Sequence, residues 1–237
     1  MMERKWTCIW LLFLLYTPLI SQVADQTSNS DIRDDAETKY GPIAELINGE
    51  KYYYPYWNDS GDPFFLPEQS KGVDIVIRGR HFINQNIRYD IYNQFIVLDY
   101  INLHGVSANI ALRNEWVDQF YIGQKLFRKY LDEDGRERFG QLIYESSVSC
   151  IYFWDKLYVA DLQNGQKHYE FSDPIRNASI IIGGETTLYK SKKSFFKKFP
   201  KQQQALIKSY LREKGIKFKK VDDEEMRLLM KFINQAS

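Results

Sequence analysis

At 237 residues, of which 44% are hydrophobic and 27% charged, the chain is long enough for one generous domain or one domain with a small appendage. Its formal charge is +1, and of its two cysteines Cys8 falls in an amino-terminal stretch that we expect to be removed. That leaves Cys150 alone and excludes an intrachain disulfide.

Arg4 and Lys5 precede an almost unbroken apolar run from Trp6 to Ile20, which has the length of a secretory h-region and is short for a membrane span. Ser21 supplies the small residue for cleavage, so residues 1–21 read as a signal peptide, with a retained N-terminal anchor as the alternative. Losing Glu3, Arg4 and Lys5 leaves 30 basic and 30 acidic residues. That neutral chain is polarised. Residues 22–189 carry 16 Lys/Arg against 25 Asp/Glu, a net of −9, and residues 190–237 carry 14 against 5, a net of +9. We expect the basic tail to dock on the acidic body.

Residues 22–40 are polar, acidic and aperiodic, the pattern of a disordered leader. From 41 to about 190 the chain reads as an antiparallel β body. It opens with Ile43, Leu46 and Ile47 at the spacing of a short helical turn or an extended lead-in. Tyr52, Tyr53, Tyr54, Tyr56, Trp57, Phe64 and Phe65 then crowd into residues 51–66, where Pro55 and Pro63 prevent a long strand. Asn58 to Pro63 is turn chemistry.

Alternation follows. Val73, Ile75 and Ile77 share a face; Ile87, Tyr89 and Ile91 alternate with Arg88, Asp90 and Tyr92; Val106, Ala108, Ile110 and Leu112 alternate with polar or small neighbours. Phe95 to Leu98 and Cys150 to Trp154 are apolar on both faces, as in strands covered from two sides. Asp134-Gly135 and Asn164-Gly165 are dipeptides favoured in type I′ hairpins, and Gly183-Gly184 joins two further β runs. About ten strands fit between residues 72 and 190 on these spacings.

Residues 191–237 read as a basic helical segment packed on the body. Pro200 is predicted at a first helical position, with Leu206, Ile207, Tyr210 and Leu211 as the buried face and Gly215 as the stop. Asp222 and Glu225 form a capping box for a second helix whose apolar face is Met226, Leu229, Met230 and Ile233.

Candidate chemistry is sparse. Asp59-Ser60-Gly61 has the letters of an aspartic-protease triplet, but it follows Tyr56-Trp57-Asn58 rather than an apolar strand and reads as a turn. His81, His104 and His168 share no metal-ligand spacing, and there is no phosphate loop, dinucleotide fingerprint or nucleophile elbow. No cofactor or metal is expected. Aromatic density makes Tyr54, Tyr56 and Trp57 the candidate ligand-binding residues. Lys192, Lys193, Lys197, Lys198 and Lys201 form a candidate basic surface in a segment whose leading reading is packing of helix against sheet; the alternative is contact with anionic lipid or glycan, since export argues against nucleic acid.

The order Asn48-Gly49, Tyr53, Pro55-Tyr56, Gly61, Pro63-Phe64-Phe65, Gly79, Tyr89-Asp90-Ile91-Tyr92-Asn93-Gln94, then Lys192-Lys193-Ser194-Phe195 and Phe199-Pro200 resembles exported envelope proteins of Bacteroidota bacteria. The resemblance covers most of the mature chain. It implies an envelope setting, periplasmic or outer-membrane-associated, with a β body and a helical end, and it carries over no catalytic residue.

The expectation is therefore an α+β protein: a curved antiparallel β-sheet or partial barrel followed by two or three C-terminal helices. Its expected role is that of a non-enzymatic binding or assembly component of an envelope protein complex. One alternative is a carrier for an apolar or carbohydrate ligand held inside the curved sheet. Another is an aspartic-type hydrolase using Asp59.

Overall fold

The computed structural model describes residues 45–236 apart from 103, 164 and 165. The expected signal segment, the leader, Ile43 and the Asn164-Gly165 turn lie outside the described residues. The strands are β1 (Glu50–Lys51), β2 (Val73–Ile77), β3 (Arg80–Asp90), β4 (Phe95–Ile101), β5 (Ser107–Ala111), β6 (Val117–Ile122), β7 (Lys125–Leu131), β8 (Glu137–Tyr144), β9 (Val148–Asp155), β10 (Tyr158–Gln163), β11 (Gln166–Phe171), β12 (Ile175–Ile182) and β13 (Glu185–Leu188). Three helices follow: α1 (Lys192–Phe196), α2 (Lys201–Glu213) and α3 (Asp223–Gln235). This is the expected α+β architecture.

Eleven strands form one antiparallel sheet in the order β1-β5-β4-β3-β2-β6-β7-β8-β9-β12-β13, and β10-β11 is a separate hairpin. Two-residue turns consume little chain, so β2 to β13 fit where about ten strands were expected. Arg78 and Gly79 both have positive φ between paired Ile77 and Arg80, as do Gly183 and Gly184 between Ile182 and Glu185, which is type I′ geometry. The Asp134-Gly135 turn differs from its expected type. Only Gly135 has positive φ there, and the loop closes with Gly135 N–H on the Asp132 carbonyl (3.1 Å) and Asp132 N–H on the Arg136 carbonyl (2.9 Å). The Asp132 carboxylate favours this longer loop by accepting the Asp134 and Arg136 amides.

The sheet curls without closing. β3 and β8 are separated by β2, β6 and β7 in the sheet order, yet the Tyr89 hydroxyl on β3 reaches the Phe139 carbonyl on β8 at 3.3 Å. Tyr89, Phe120, Phe127 and Phe139 meet inside this curl with ring centroids 5.0–6.1 Å apart, and all are buried. Each such ring contributes about 1.5–3 kcal/mol by leaving water. Gly140 permits the close packing of β8, since a Cβ there would lie 2.4 Å from Ile151 Cγ2.

Ile87, Tyr89 and Ile91 are buried as the alternation predicts, but Asp90 on the opposite face is buried too. Its carboxylate accepts the Tyr92 amide (3.0 Å), the Asn93 amide (2.7 Å) and the Asn93 side chain (2.9 Å), so it is held by the corner that ends β3. Val106 departs from its expected face: it precedes β5 and is exposed.

The helices cover the other side of β9. Cys150 and Tyr152 face Phe195, Phe196, Phe199, Met226, Leu229, Met230 and Ile233 in one apolar cluster, while Ile151 and Phe153 are buried as well. Asp222 and Glu225 make the expected capping box. Pro200 is the N-cap of α2 rather than its first residue, because its ψ of 152° is extended while its carbonyl accepts Gln204 N–H. Leu206 is exposed, since the buried arc of α2 is the narrow Ile207–Leu211 line with Tyr210 stacked on Phe232 at 4.4 Å.

The expected electrostatic docking of tail on body is not what holds them. Among the described residues, the ion pairs made by tail cations, Lys214–Glu213 and Arg227–Glu224, stay within the tail. The one ion pair crossing to the body, Lys125–Asp223, has the opposite polarity. Apolar burial is the bond, and the tail's positive charge is left facing solvent.

Candidate functional site

Residues 52–65 are irregular because prolines and turn residues interrupt them, yet six hydrogen bonds fix their course. Phe65 N–H donates to the Tyr89 carbonyl (2.9 Å) and Ile91 N–H to the Pro63 carbonyl (3.0 Å), so Pro63 to Phe65 run beside the end of β3. Ser60 bridges β11, donating to the Tyr169 carbonyl and accepting from Phe171 N–H, both at 3.0 Å. Lys156 Nζ donates to the Asp62 carbonyl at 2.6 Å, and the Asp62 carboxylate accepts Phe64 N–H at 2.7 Å.

Held in this way, the segment builds an aromatic face with the β10-β11 hairpin. Tyr56 sits edge-on to Phe171 (4.8 Å), Tyr158 (5.3 Å) and Tyr54 (5.6 Å), and more distantly to Tyr92 (6.5 Å). Tyr158 stacks on Tyr169 at 5.2 Å. Trp57 touches only the rim of this cluster, edge to face with Tyr54 at 5.3 Å, and is 80% exposed. Tyr53 is 70% exposed, with Lys51 Nζ 4.7 Å above its ring.

The face is acidic in character. The Tyr158 hydroxyl donates to Asp59 at 2.6 Å, and that bond, ahead of burial, pushes its pKa up to about 12. Burial, then the Asp62 and Asp59 charges, raises Tyr54. Both phenols therefore stay protonated at neutral pH, and Tyr158 acts as a hydrogen-bond donor to Asp59. Asp59 and Asp62 are occupied separately, the first by Tyr158 and the second by Lys156 and the Phe64 amide.

Comparison of the chain with protein-family models, curated proteins and solved structures finds no match.

Tyr54, Tyr56 and Trp57 thus come together as neighbouring rings. Sequence reasoning missed Tyr92, Tyr158, Tyr169 and Phe171, which complete the face. Tyr158 pairs with Phe171 and Ala160 with Tyr169 in the hairpin register, so three of these rings share one side. That alternation is present in the sequence, but its apposition to residues 54–57 depends on the fold.

The five lysines differ in their relation to the nearest cleft. Lys192 and Lys193 lie at a cleft between the sheet edge and the Phe218–Val221 turn, whereas Lys197, Lys198 and Lys201 lie outside it. Among the described residues no three His, Cys, Asp or Glu side chains gather as a metal site.

Proposed function

We propose that the protein is a non-enzymatic binding component of the cell envelope that engages a protein partner through the aromatic face centred on Trp57. The observation that carries this reading is the 80% exposure of Trp57 on a ring cluster that is itself fixed by backbone and side-chain hydrogen bonds. Folding gains little from such a ring. Tryptophan and tyrosine presented on a rigid base are the residues that dominate binding at protein interfaces, because they bury large area at low entropic cost. The signal-like residues 1–21 and the resemblance to Bacteroidota envelope proteins support the envelope setting.

The test is affinity recovery of the tagged chain from its native envelope, comparing wild type with Trp57→Ala/Tyr53→Ala. Both rings are largely exposed, so the variant is expected to melt within about 1 kcal/mol of wild type. Loss of a specific co-purifying protein is the expected result. Unchanged recovery of every partner by the folded variant overturns the reading.

A carbohydrate ligand is the second reading, favoured by the Asn93 amide 3.4 Å from the Tyr56 hydroxyl beside the rings. Saturable quenching of tryptophan fluorescence by envelope oligosaccharides, abolished in Trp57→Ala, would select it over a protein partner.

A further inference from the structure

A second site lies on the far side of the sheet from the curl's interior, in a cleft of about 480 Å³ between β12, the β13–α1 connection, the Phe218–Val221 turn and α3. That volume is in the range of small-molecule sites. Its rim is cationic. Arg176, Lys190, Lys192, Lys193 and Lys219 all line it, and no Asp or Glu does. None of the five forms an ion pair among the described residues; four of them come from the basic segment 190–237, and Arg176 donates to the Val221 carbonyl at 3.4 Å.

The floor has the opposite character. Tyr152, Tyr189, Phe218 and Met226 line it, with the Tyr189 and Phe218 rings 6.2 Å apart and the Arg176 guanidinium 4.7 Å over the Tyr152 ring. Among the described residues no group within hydrogen-bond distance satisfies the fully buried Tyr152 hydroxyl. A solvated lysine face needs neither a cavity nor an apolar floor, and this one has both.

We infer that this cleft binds an anionic amphiphile: a phosphate or carboxylate head held by Arg176 and the lysines, with an aliphatic or aromatic body laid on the Tyr189, Phe218 and Met226 floor. The argument is independent of the aromatic face, and the site lies on different elements. Charge complementarity selects the head, since each unpaired cation contributes attraction that a carboxylate neighbour would cancel. The floor selects the body, since a ligand laid over the partly exposed Phe218 and Leu188 takes their apolar surface out of water.

Isothermal titration of the full chain at low ionic strength distinguishes the two requirements. Octyl phosphate, below its micelle concentration, is the probe, with inorganic phosphate and 1-octanol as the half-ligands. We expect saturable binding of one octyl phosphate per chain, with each half-ligand weaker on the order of tenfold or more. Arg176→Glu/Lys193→Glu, both at exposed positions, should weaken octyl phosphate on the order of tenfold, and Lys198→Glu/Lys201→Glu, with the same change in net charge, should leave it within about twofold. Should charge reversal impair folding, as read by thermal melting, Arg176→Gln/Lys193→Gln gives the same comparison. Any of four results overturns the inference: no saturable binding, inorganic phosphate as tight as octyl phosphate, equal loss in both double variants, or binding only to phosphatidylglycerol vesicles.

Discussion

The Gln94 side-chain amide donates to the Trp154 carbonyl at 3.1 Å, joining the corner between β3 and β4 to the end of β9. The same side chain accepts the Tyr89 hydroxyl at 2.7 Å and donates to the Ile91 carbonyl at 2.6 Å. Gln94→Ala removes these three bonds, together with longer ones to Arg138 (3.4 Å) and Asp155 (3.5 Å), and leaves the buried Tyr89 hydroxyl with the Phe139 carbonyl alone. The expected cost is about 2 kcal/mol, read as a melting temperature lower by about 4–8 °C. Gln94 also has a φ of 63°, so Gln94→Gly should be milder than Gln94→Ala by about 1 kcal/mol. Equal melting of the two variants would count against the left-handed corner.

Asp132 governs the acid side of stability at the β7–β8 loop. Burial opposes its charge, but the Arg136 and Asp134 amides and the Arg136 guanidinium outweigh this and hold its pKa below the usual 3.8. A depressed carboxylate contributes stability that is complete above 3.8 and is lost as pH falls through the folded value. Asp132→Asn should remove that acid-side loss, and Asp132→Ala should cost about 1–2 kcal/mol at neutral pH. Asp90 has the reverse sign, because burial outweighs its Asn93 and Tyr92 bonds and raises its pKa. Its ionisation lowers stability as pH rises from 3.8 through that raised value. Urea unfolding midpoints across the acid range, for wild type, Asp132→Asn and Asp90→Asn, measure both slopes.

Cys150 is fully buried, and burial pushes its thiol up to about 12 despite the Tyr189 hydroxyl 3.7 Å away. Because thiolate is the reactive form, it should ignore a thiol reagent in the folded protein. In a Cys8→Ser chain, Ellman's reagent is expected to find no thiol in native buffer and one in guanidinium chloride. Rapid native labelling would show that β9 opens far more often than its two-sided cover allows.

The body was legible where one period and one face explain a residue. Ile87, Tyr89 and Ile91 alternate because they line the curl, and Met226, Leu229, Met230 and Ile233 recur because one helix face meets β9. The exceptions share a cause. Asp90 is buried by a corner made of its own neighbours, Leu206 is exposed because the buried arc of α2 is narrow, and the tail docks through Phe195 and Phe199 rather than through its lysines. Composition counts charges but not their partners. The aromatic face was half legible, since Tyr54, Tyr56 and Trp57 are adjacent in the chain, whereas Tyr158 and Tyr169 reach them only after the hairpin folds back. The cleft was nearly invisible, because Arg176 and Lys219 flank it from elements far apart in the sequence.

The two-sided cover of β9 sets an order on biosynthesis. As the chain emerges amino-terminus first into the compartment where it folds, the side bearing Ile151 and Phe153 can find its neighbours while the Cys150 and Tyr152 side still waits for residues 226–233. Until those are made, the strand has one bare apolar flank, which is the surface on which nascent chains aggregate or recruit chaperones. A chain truncated before Met226 should therefore bind a hydrophobic dye such as ANS, and the full chain should not.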